Sequence, residues 1–221
     1  MERTTLSDPF LAGYLTKYDQ WMEDGKLSHA ARVIPIAESI QAQQWVMPRS
    51  QVMEILQKAQ SVALWPCVCR SHYQRCDKPL EVCFILNKVA DSCVAKGLAR
   101  SVSLEEATEV LQKANEHGLV HMGLYMPDHE LVGLCSCCTC CCHELQILQK
   151  LGRRDRLARS EYVAVNEMDN CTHCGACADR CAFGARSFLD DRLVFQDDSC
   201  FGCGLCITVC PTGAIAMTVQ K

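Results

Sequence analysis

The repeat that decides the fold of the carboxyl end reads CTHCGACADRC at residues 171–181 and CFGCGLCITVC at residues 200–210. Each copy places four cysteines at the spacing C-x2-C-x2-C-x3-C, and the copies begin 29 residues apart. Three closely spaced thiolates can hold neighbouring corners of a cluster only when the backbone between them is tightly wound. Gly175 and Gly204 allow such winding, because glycine adopts positive φ without steric cost. This spacing is typical of iron–sulfur ligation, whereas zinc sites usually show two C-x2-C pairs with a longer spacer.

Residues 162–219 resemble the bacterial-type ferredoxins that carry two [4Fe–4S] clusters. Residues 162–166 and 192–196 are similar to the short strands that precede each cysteine run in that fold. The resemblance implies that the fourth cysteine of each run serves the other cluster. The first cluster would then be held by Cys171, Cys174, Cys177 and Cys210, and the second by Cys200, Cys203, Cys206 and Cys181. One departure is that Ala182 follows Cys181, where the family pattern has proline, as Pro211 does after Cys210.

The composition separates two classes of cysteine-rich protein. The 221 residues include 19 cysteines, which indicates a disulfide scaffold or a metal protein. The odd number and the short, repeated spacings favour metal ligation. The amino-terminal residues lack a basic segment followed by an apolar one, so we expect no secretory signal. No apolar run approaches the roughly 18 residues that span a bilayer. We therefore expect a cytoplasmic protein with reduced thiols and no membrane span.

The net charge of −4 is concentrated at the carboxyl end. Residues 161–221 contain eight acidic and four basic residues, whereas residues 1–160 contain eighteen of each. Neither part shows the basic patch that nucleic-acid binding requires, so we expect no nucleic-acid partner.

The amino-terminal region shows helical patterns. One apolar stripe predicts a helix that ends near Trp65-Pro66, formed by Val52, Ile55, Leu56, Ala59, Val62 and Ala63. A second helix is predicted around Leu86–Val94, with Cys93 on its apolar face as a core residue. Ser103 and Glu106 form a capping box for a third helix, which Gly118 ends. The fold class expected is α+β, with a mainly helical, cysteine-rich amino-terminal domain followed by a ferredoxin-like βαβ repeat.

Ten further cysteines lie in two groups within the amino-terminal domain. Cys67, Cys69, Cys76 and Cys83 follow the first predicted helix at the spacing C-x-C-x6-C-x6-C. Residues 135–142 hold six more, among which Cys135, Cys138 and Cys141 repeat the C-x2-C-x2-C spacing and Cys142 follows Cys138 at the fourth-ligand distance. These eight residues are candidate ligands of at least one further iron–sulfur or metal centre. Zinc, a cubane cluster, a share in a larger cluster and buried free thiols all remain open.

The order of these pieces over most of residues 47–220 is similar to uncharacterised ferredoxin-type iron–sulfur proteins of anaerobic microbes, a resemblance that implies no reaction. The expected domains are a segment of unknown role at 1–46, a cysteine-rich domain at 47–152, a solvated basic linker at 153–161 and the ferredoxin domain at 162–221. The function expected is low-potential electron transfer to or from a redox-partner protein or oxidoreductase complex. The alternative is an iron–sulfur reductase whose amino-terminal, cysteine-ligated centre is the active site and receives electrons from the ferredoxin domain, because metal centres and clusters can carry out the redox chemistry themselves.

Overall fold

The computed structural model describes residues 7–36, 51–127 and 130–219. The helices within these residues are Pro9–Glu23 (α1), Gln51–Lys58 (α2), Val68–Tyr73 (α3), Asn87–Ala95 (α4), Leu104–Glu116 (α5), His143–Leu151 (α6) and Ala176–Asp179 (α7). The strands are Ala31–Ile34 (β1), Val62–Pro66 (β2), Glu81–Leu86 (β3), Arg100–Ser101 (β4), Val120–Met126 (β5), Glu130–Cys137 (β6), Leu157–Ala158 (β7), Tyr162–Asn166 (β8), Arg186–Leu189 (β9), Arg192–Phe195 (β10) and Ile215–Val219 (β11). The mixture of helix and sheet confirms the α+β class.

A seven-stranded sheet organises the amino-terminal region. Its strand order is β4-β2-β3-β6-β5-β1-β7, and all neighbours are antiparallel except β1 and β7. The long β5–β6 pairing sets Val120 opposite Cys137 and Met122 opposite Cys135. Helices flank this sheet. The sequence analysis predicted a mainly helical domain and did not include the sheet.

The first predicted helix is too long and must be corrected. α2 ends at Lys58, and Val62 and Ala63 begin strand β2. β2 lies between β4 and β3 inside the sheet. Residues 62–65 form a short continuous apolar run, which periodicity alone cannot distinguish from part of a buried helix.

The other two helices agree with the sequence patterns. In α5 the Ser103 side chain accepts a hydrogen bond from the Glu106 backbone N–H at 3.1 Å, and the helix ends before Gly118. α4 covers most of the second predicted helix. Its residues Ala90 and Cys93 are buried against Ala63 of β2 and Ile85 of β3. The prediction of Cys93 as a core residue is confirmed.

The carboxy-terminal region contains two small antiparallel sheets. β8 pairs with β11, and β9 pairs with β10 in a hairpin. The strands predicted at residues 162–166 and 192–196 are therefore confirmed as β8 and β10, which ends at Phe195. The short helix α7 lies between β8 and β9.

The basic run at 153–159 is not a solvated segment throughout. Leu157 and Ala158 form β7 at the edge of the large sheet. Arg156 is 0% exposed and forms ion pairs with Glu144 and Asp19. The expectation of a solvated linker is therefore wrong for these residues. A guanidinium can be buried when carboxylates pair with it. The sequence analysis missed this because the pairing depends on long-range packing. No helix in the described part of the chain has the length and apolarity needed to cross a membrane.

Candidate metal centres

The two cysteine runs of the carboxy-terminal region meet around two separate cavities. The first cavity is lined by Cys171, Cys174 and Cys177 together with Cys210 from the other run. The second is lined by Cys200, Cys203 and Cys206 together with Cys181. We call these sets quartet 1 and quartet 2. Each set combines three neighbouring cysteines with one distant cysteine, so the fold brings together the eight residues that the sequence suggested as ligands.

The local backbone explains how three cysteines of each run converge. A 3-10 turn precedes each run, and the N–H of its first cysteine donates to Met168 in one copy and to Asp197 in the other. Gly175 and Gly204 then adopt φ values of 80° and 79°. These positive values are those expected of glycine in a tight turn. His173, between Cys171 and Cys174, is half-buried, and its Nδ1 accepts a hydrogen bond from the Leu193 N–H at 3.0 Å.

Residues 193–216 match the 4Fe-4S binding domain family. The matched residues include Cys200, Cys203, Cys206 and Cys210, so the chain has a binding domain for at least one [4Fe–4S] cluster. No curated protein matches the chain.

A buried arginine lies between the two quartets of this 4Fe-4S binding region. Arg186 is 4% exposed, and its Nη1 donates to Asn166 at 2.7 Å and approaches the Cys177 Sγ at 3.8 Å. Its Nη2 has no hydrogen-bond partner. Burial raises the pKa of Cys206 to about 11, and Arg186 partly offsets this. A buried cation with an unsatisfied donor beside thiols fits an anionic group held by those thiols.

The amino-terminal cysteines other than Cys93, ten in all, also meet in space. Six of them form a continuous chain of thiol contacts, which we call the inner group: Cys67, Cys69, Cys83, Cys135, Cys137 and Cys142. Cys67 contacts Cys69 and Cys83, Cys83 contacts Cys135, and Cys137 connects Cys135 with Cys142. The neighbouring thiols of Cys137 and then Cys83 lower the pKa of Cys135, although burial opposes this.

The remaining four cysteines form a second set, the outer tetrad. It consists of Cys76, Cys138, Cys140 and Cys141, whose Sγ atoms all lie within 4.8 Å of one another. The structure thus divides the C-x2-C-x2-C run, since Cys135 belongs to the inner group and Cys138 and Cys141 to the outer tetrad. Cys137 and Cys140 were missing from the predicted ligands, although the density of thiols at 135–142 was a signal that could have included them.

The inner group lines a large cavity between α1 and the sheet. The cavity has a volume of about 640 Å³, and all six inner cysteines contribute to its wall together with Cys138. The rest of the wall is mostly apolar, with Phe10 and Tyr14 from α1 on one side and Ile85 and Met122 from the sheet on the other. This volume lies within the range of small-molecule sites, about 300–1,000 Å³.

Of three polar residues near the inner group, His143 and Glu144 are buried and His72 is exposed. His143 follows Cys142 and is buried between α1 and α3, where burial lowers its pKa to about 4 and its Nε2 has no partner. Glu144 also faces the cavity, but Arg156 Nη2 donates to its Oε1 at 3.0 Å. His72 packs against Phe10 at a ring-centroid distance of 4.1 Å. None of these contacts makes either histidine a ligand.

A second buried arginine lies among the amino-terminal thiols. Arg70 is 1% exposed, and its Nη2 donates to the Ser136 carbonyl at 2.8 Å, while its Nε has no partner. Burial opposes the charged form, yet the pKa of Arg70 is raised overall by Cys67, Cys138, Cys83 and Cys137. These cysteines come from both the inner group and the outer tetrad. Arg70 therefore supplies positive charge to a region that collects thiolates.

The inner group and quartet 2 share one apolar core. Cys137 and Cys142 pack in this core with Phe201 and Leu205, and Cys135 and Cys203 lie at its edge. The backbone N–H of Ile36 donates to the Cys203 carbonyl at 3.0 Å. Gln149 on α6 donates to the Ala182 carbonyl at 3.2 Å. Two hydrogen bonds therefore link the residues around this core to the carboxy-terminal region.

Proposed function

We propose that this chain is an iron–sulfur electron-transfer protein in which two [4Fe–4S] clusters of the ferredoxin-like region serve a further centre in the amino-terminal region. The observation that carries this proposal is the shared core that joins Cys203 of quartet 2 to Cys135, Cys137 and Cys142 of the inner group. A single-purpose carrier would not need a second thiol-rich site in contact with its ferredoxin region.

The donor sets fit this assignment. Quartet 1 and quartet 2 each offer four thiols around a cavity, and Arg186 provides positive charge between them. The inner group offers six thiols, more than one cubane requires. None of the nineteen cysteines, all of which lie within the described residues, forms a disulfide, which supports a reducing compartment such as the cytoplasm. When bound, the clusters would supply reversible one-electron storage and transfer.

The exposure of the cysteines indicates at which end of the protein electrons are exchanged with a partner. Cys174 of quartet 1 is exposed, whereas Cys200 and Cys206 of quartet 2 are buried and the inner group lies beyond them. Phe188 and Leu189 of β9 are exposed apolar residues, and Phe188 lies beside Gly175 of the quartet 1 run. The acidic residues at this end are also exposed: Asp169, Asp179, Asp190 and Asp191. We therefore expect a redox-partner protein with a basic rim to dock here, since charge complementarity steers such encounters.

Electron paramagnetic resonance of the anaerobic, reduced full chain tests the proposal. We expect a third signal that is spin-coupled to the cluster of quartet 2, and about twelve irons per chain. Cys67→Ser should remove the third signal and leave a spectrum of two clusters. Cys93→Ser, a substitution of a buried cysteine outside both sites, should change nothing. Iron that reaches only about eight per chain, with a spectrum insensitive to Cys67→Ser, would contradict the amino-terminal centre.

The cavity favours a second candidate function, in which the inner group forms the active site of a reductase. A closed carrier centre has no need of an apolar cavity of about 640 Å³ beside its ligands. Cyanide added to the reduced protein distinguishes the two functions. A change confined to the third signal would show an open coordination position and favour the reductase, whereas an unchanged third signal would favour the carrier.

A further inference from the structure

The outer tetrad differs in size from the other cysteine sites. Its Cys76 and Cys138 Sγ atoms are 3.9 Å apart, and its Cys140 and Cys141 Sγ atoms are 3.8 Å apart. Four sulfurs at the usual Zn–S distance of about 2.3 Å form a tetrahedron with edges of about 3.8 Å. The spacing therefore matches one tetrahedral ion. In the part of the chain that the structure describes, the quartets of the ferredoxin-like region do not come together so closely.

The outer tetrad is also closed. Cys76, Cys140 and Cys141 do not line the large cavity, and Cys138 alone reaches its wall. Cys138 and Cys141 are buried, while Cys76 and Cys140 are half-buried. Four protein thiols complete a tetrahedral site and leave no position for a substrate, which is the arrangement of structural zinc sites.

Hydrogen bonds hold the two ligand-bearing segments independently of any ion. Cys76 lies between α3 and β3, and the other three ligands lie in the turn between β6 and α6. Arg75 Nη1 donates to the Cys140 carbonyl at 3.2 Å and to Gln146 Oε1 at 2.7 Å. Gln146 Nε2 in turn donates to the Cys141 carbonyl at 2.9 Å. The side chains that surround the tetrad thus position its backbone, as the supporting residues of metal sites commonly do.

We propose that Cys76, Cys138, Cys140 and Cys141 bind one Zn²⁺ ion at a structural site that is separate from the cluster site of the inner group. The ion joins the α3–β3 loop to the thiol-rich turn, 62 residues away along the chain from Cys76 to Cys138. Arg70, which faces thiols of both sets, offsets part of the negative charge of four thiolates around a divalent ion. This site does not depend on the proposed electron transfer, because zinc has no redox chemistry.

Zinc X-ray absorption on the full chain, purified without added iron or sulfide, tests the site directly. We expect about one zinc per chain with four sulfur neighbours at about 2.3 Å. Growth with Co²⁺ should give the intense visible absorption of a tetrahedral cobalt–thiolate site. Absence of zinc and of cobalt absorption would overturn the proposal, as would a high-spin ferric signal of mononuclear iron at this position.

Paired variants separate this site from the cluster sites. Cys140→Ser should reduce zinc from about one per chain to near none and leave the iron content unchanged. Cys83→Ser, in the inner group, should lower iron and retain zinc. Cys93→Ser should retain both metals. If Cys140→Ser instead lowers iron while zinc stays bound or is absent, the tetrad belongs to a cluster and the proposal is wrong. The absorption measurement on the unsubstituted chain decides the question even where a variant fails to fold.

Discussion

The Nη1 atom of Arg186 lies 3.8 Å from the Sγ atom of Cys177. In the internal repeat Arg186 occupies the place that Ile215 occupies in the second copy. Ile215 is buried in an apolar cluster, whereas Arg186 brings a cation into the equivalent position between the two quartets. The repeat is thus asymmetric at the residue that faces both sets of thiols.

Restoring the symmetry should lower the reduction potential of the bound clusters. A nearby positive charge stabilises the reduced, more negative form, so Arg186→Ile should shift the potential down by on the order of 50 mV. Arg192→Ile, which removes an exposed arginine of the same hairpin, should have a much smaller effect. Redox titration followed by electron paramagnetic resonance measures both. An equal shift in the two variants would mean that net charge rather than burial sets the potential.

Arg70 should be required for the centre of the inner group. Arg70 is 1% exposed and lies among thiols, so Arg70→Met removes a buried positive charge from the site. We therefore expect this variant to lose about four irons per chain together with the third signal. Arg70→Lys keeps the charge but not the planar fork that reaches Ser136, and should retain part of the iron. Arg100→Met, at an exposed ion pair with Glu106, is the matched control. Full iron content in Arg70→Met would contradict this role.

The buried His121 should make stability depend on pH. Asn115 Oδ1 accepts from its Nε2 at 2.7 Å, so its Nδ1 accepts from the Ser136 hydroxyl at 3.0 Å and the ring is neutral. Burial lowers the pKa of His121 from 6.5 to about 4. The free energy of unfolding therefore contains the full contribution of neutral His121 above pH 6.5. This contribution, about 3 kcal/mol, is lost as the pH falls to about 4.

Anaerobic thermal unfolding between pH 4.5 and 7.5 measures this dependence. The midpoint of His121→Gln should fall less steeply with decreasing pH than that of the unsubstituted chain. His117→Gln, at an exposed position, should follow the unsubstituted chain. Parallel curves for all three proteins would show that His121 does not control the pH dependence.

The buried ion pair of Glu144 and Arg156 should be costly to break on one side only. Glu144→Gln leaves Arg156 with Asp19 alone, and we expect a destabilisation of about 3 kcal/mol. The double variant Glu144→Leu with Arg156→Met removes both charges and should recover much of this loss, because Arg153 still pairs with Asp19 at 3.2 Å. Glu54→Gln, at an exposed pair with Lys58, should leave the unfolding midpoint nearly unchanged. A double variant less stable than Glu144→Gln would contradict the reasoning.

Local signals predicted the elements that depend on neighbouring residues. The Ser103 cap of α5, strands β8 and β10 and the positive φ of Gly175 and Gly204 follow from short-range geometry. The contacts of Cys76 with Cys138 depend on a sheet that orders β3, β6 and β5 across more than 50 residues. The periodicity of a short segment does not reveal with which strand it pairs or in which register.

Buried charges were the other failure of sequence reasoning. Arg70, Arg156 and Arg186 are each under 5% exposed, although arginine is rarely buried without a partner. Each has partners that only the tertiary fold brings to it: carboxylates for Arg156, including Asp19 from 137 residues away, and thiols for Arg70 and Arg186. Only the folded structure shows which charged residues belong to a site.

The last prediction concerns which cysteine serves which cluster in the ferredoxin-like region. The structure places Cys181 with Cys200, Cys203 and Cys206 rather than with its own run. Each single serine substitution should therefore remove about four irons, the content of one cluster. Cys181→Ser combined with Cys200→Ser should still remove about four, because both residues hold the same cluster. Cys181→Ser combined with Cys171→Ser should remove about eight, because the two residues hold different clusters. Anaerobic iron and sulfide counts on the unsubstituted chain, the single variants and the two double variants decide the pairing. The reverse pattern, with the larger loss from the Cys181 and Cys200 pair, would mean that each run holds its own cluster.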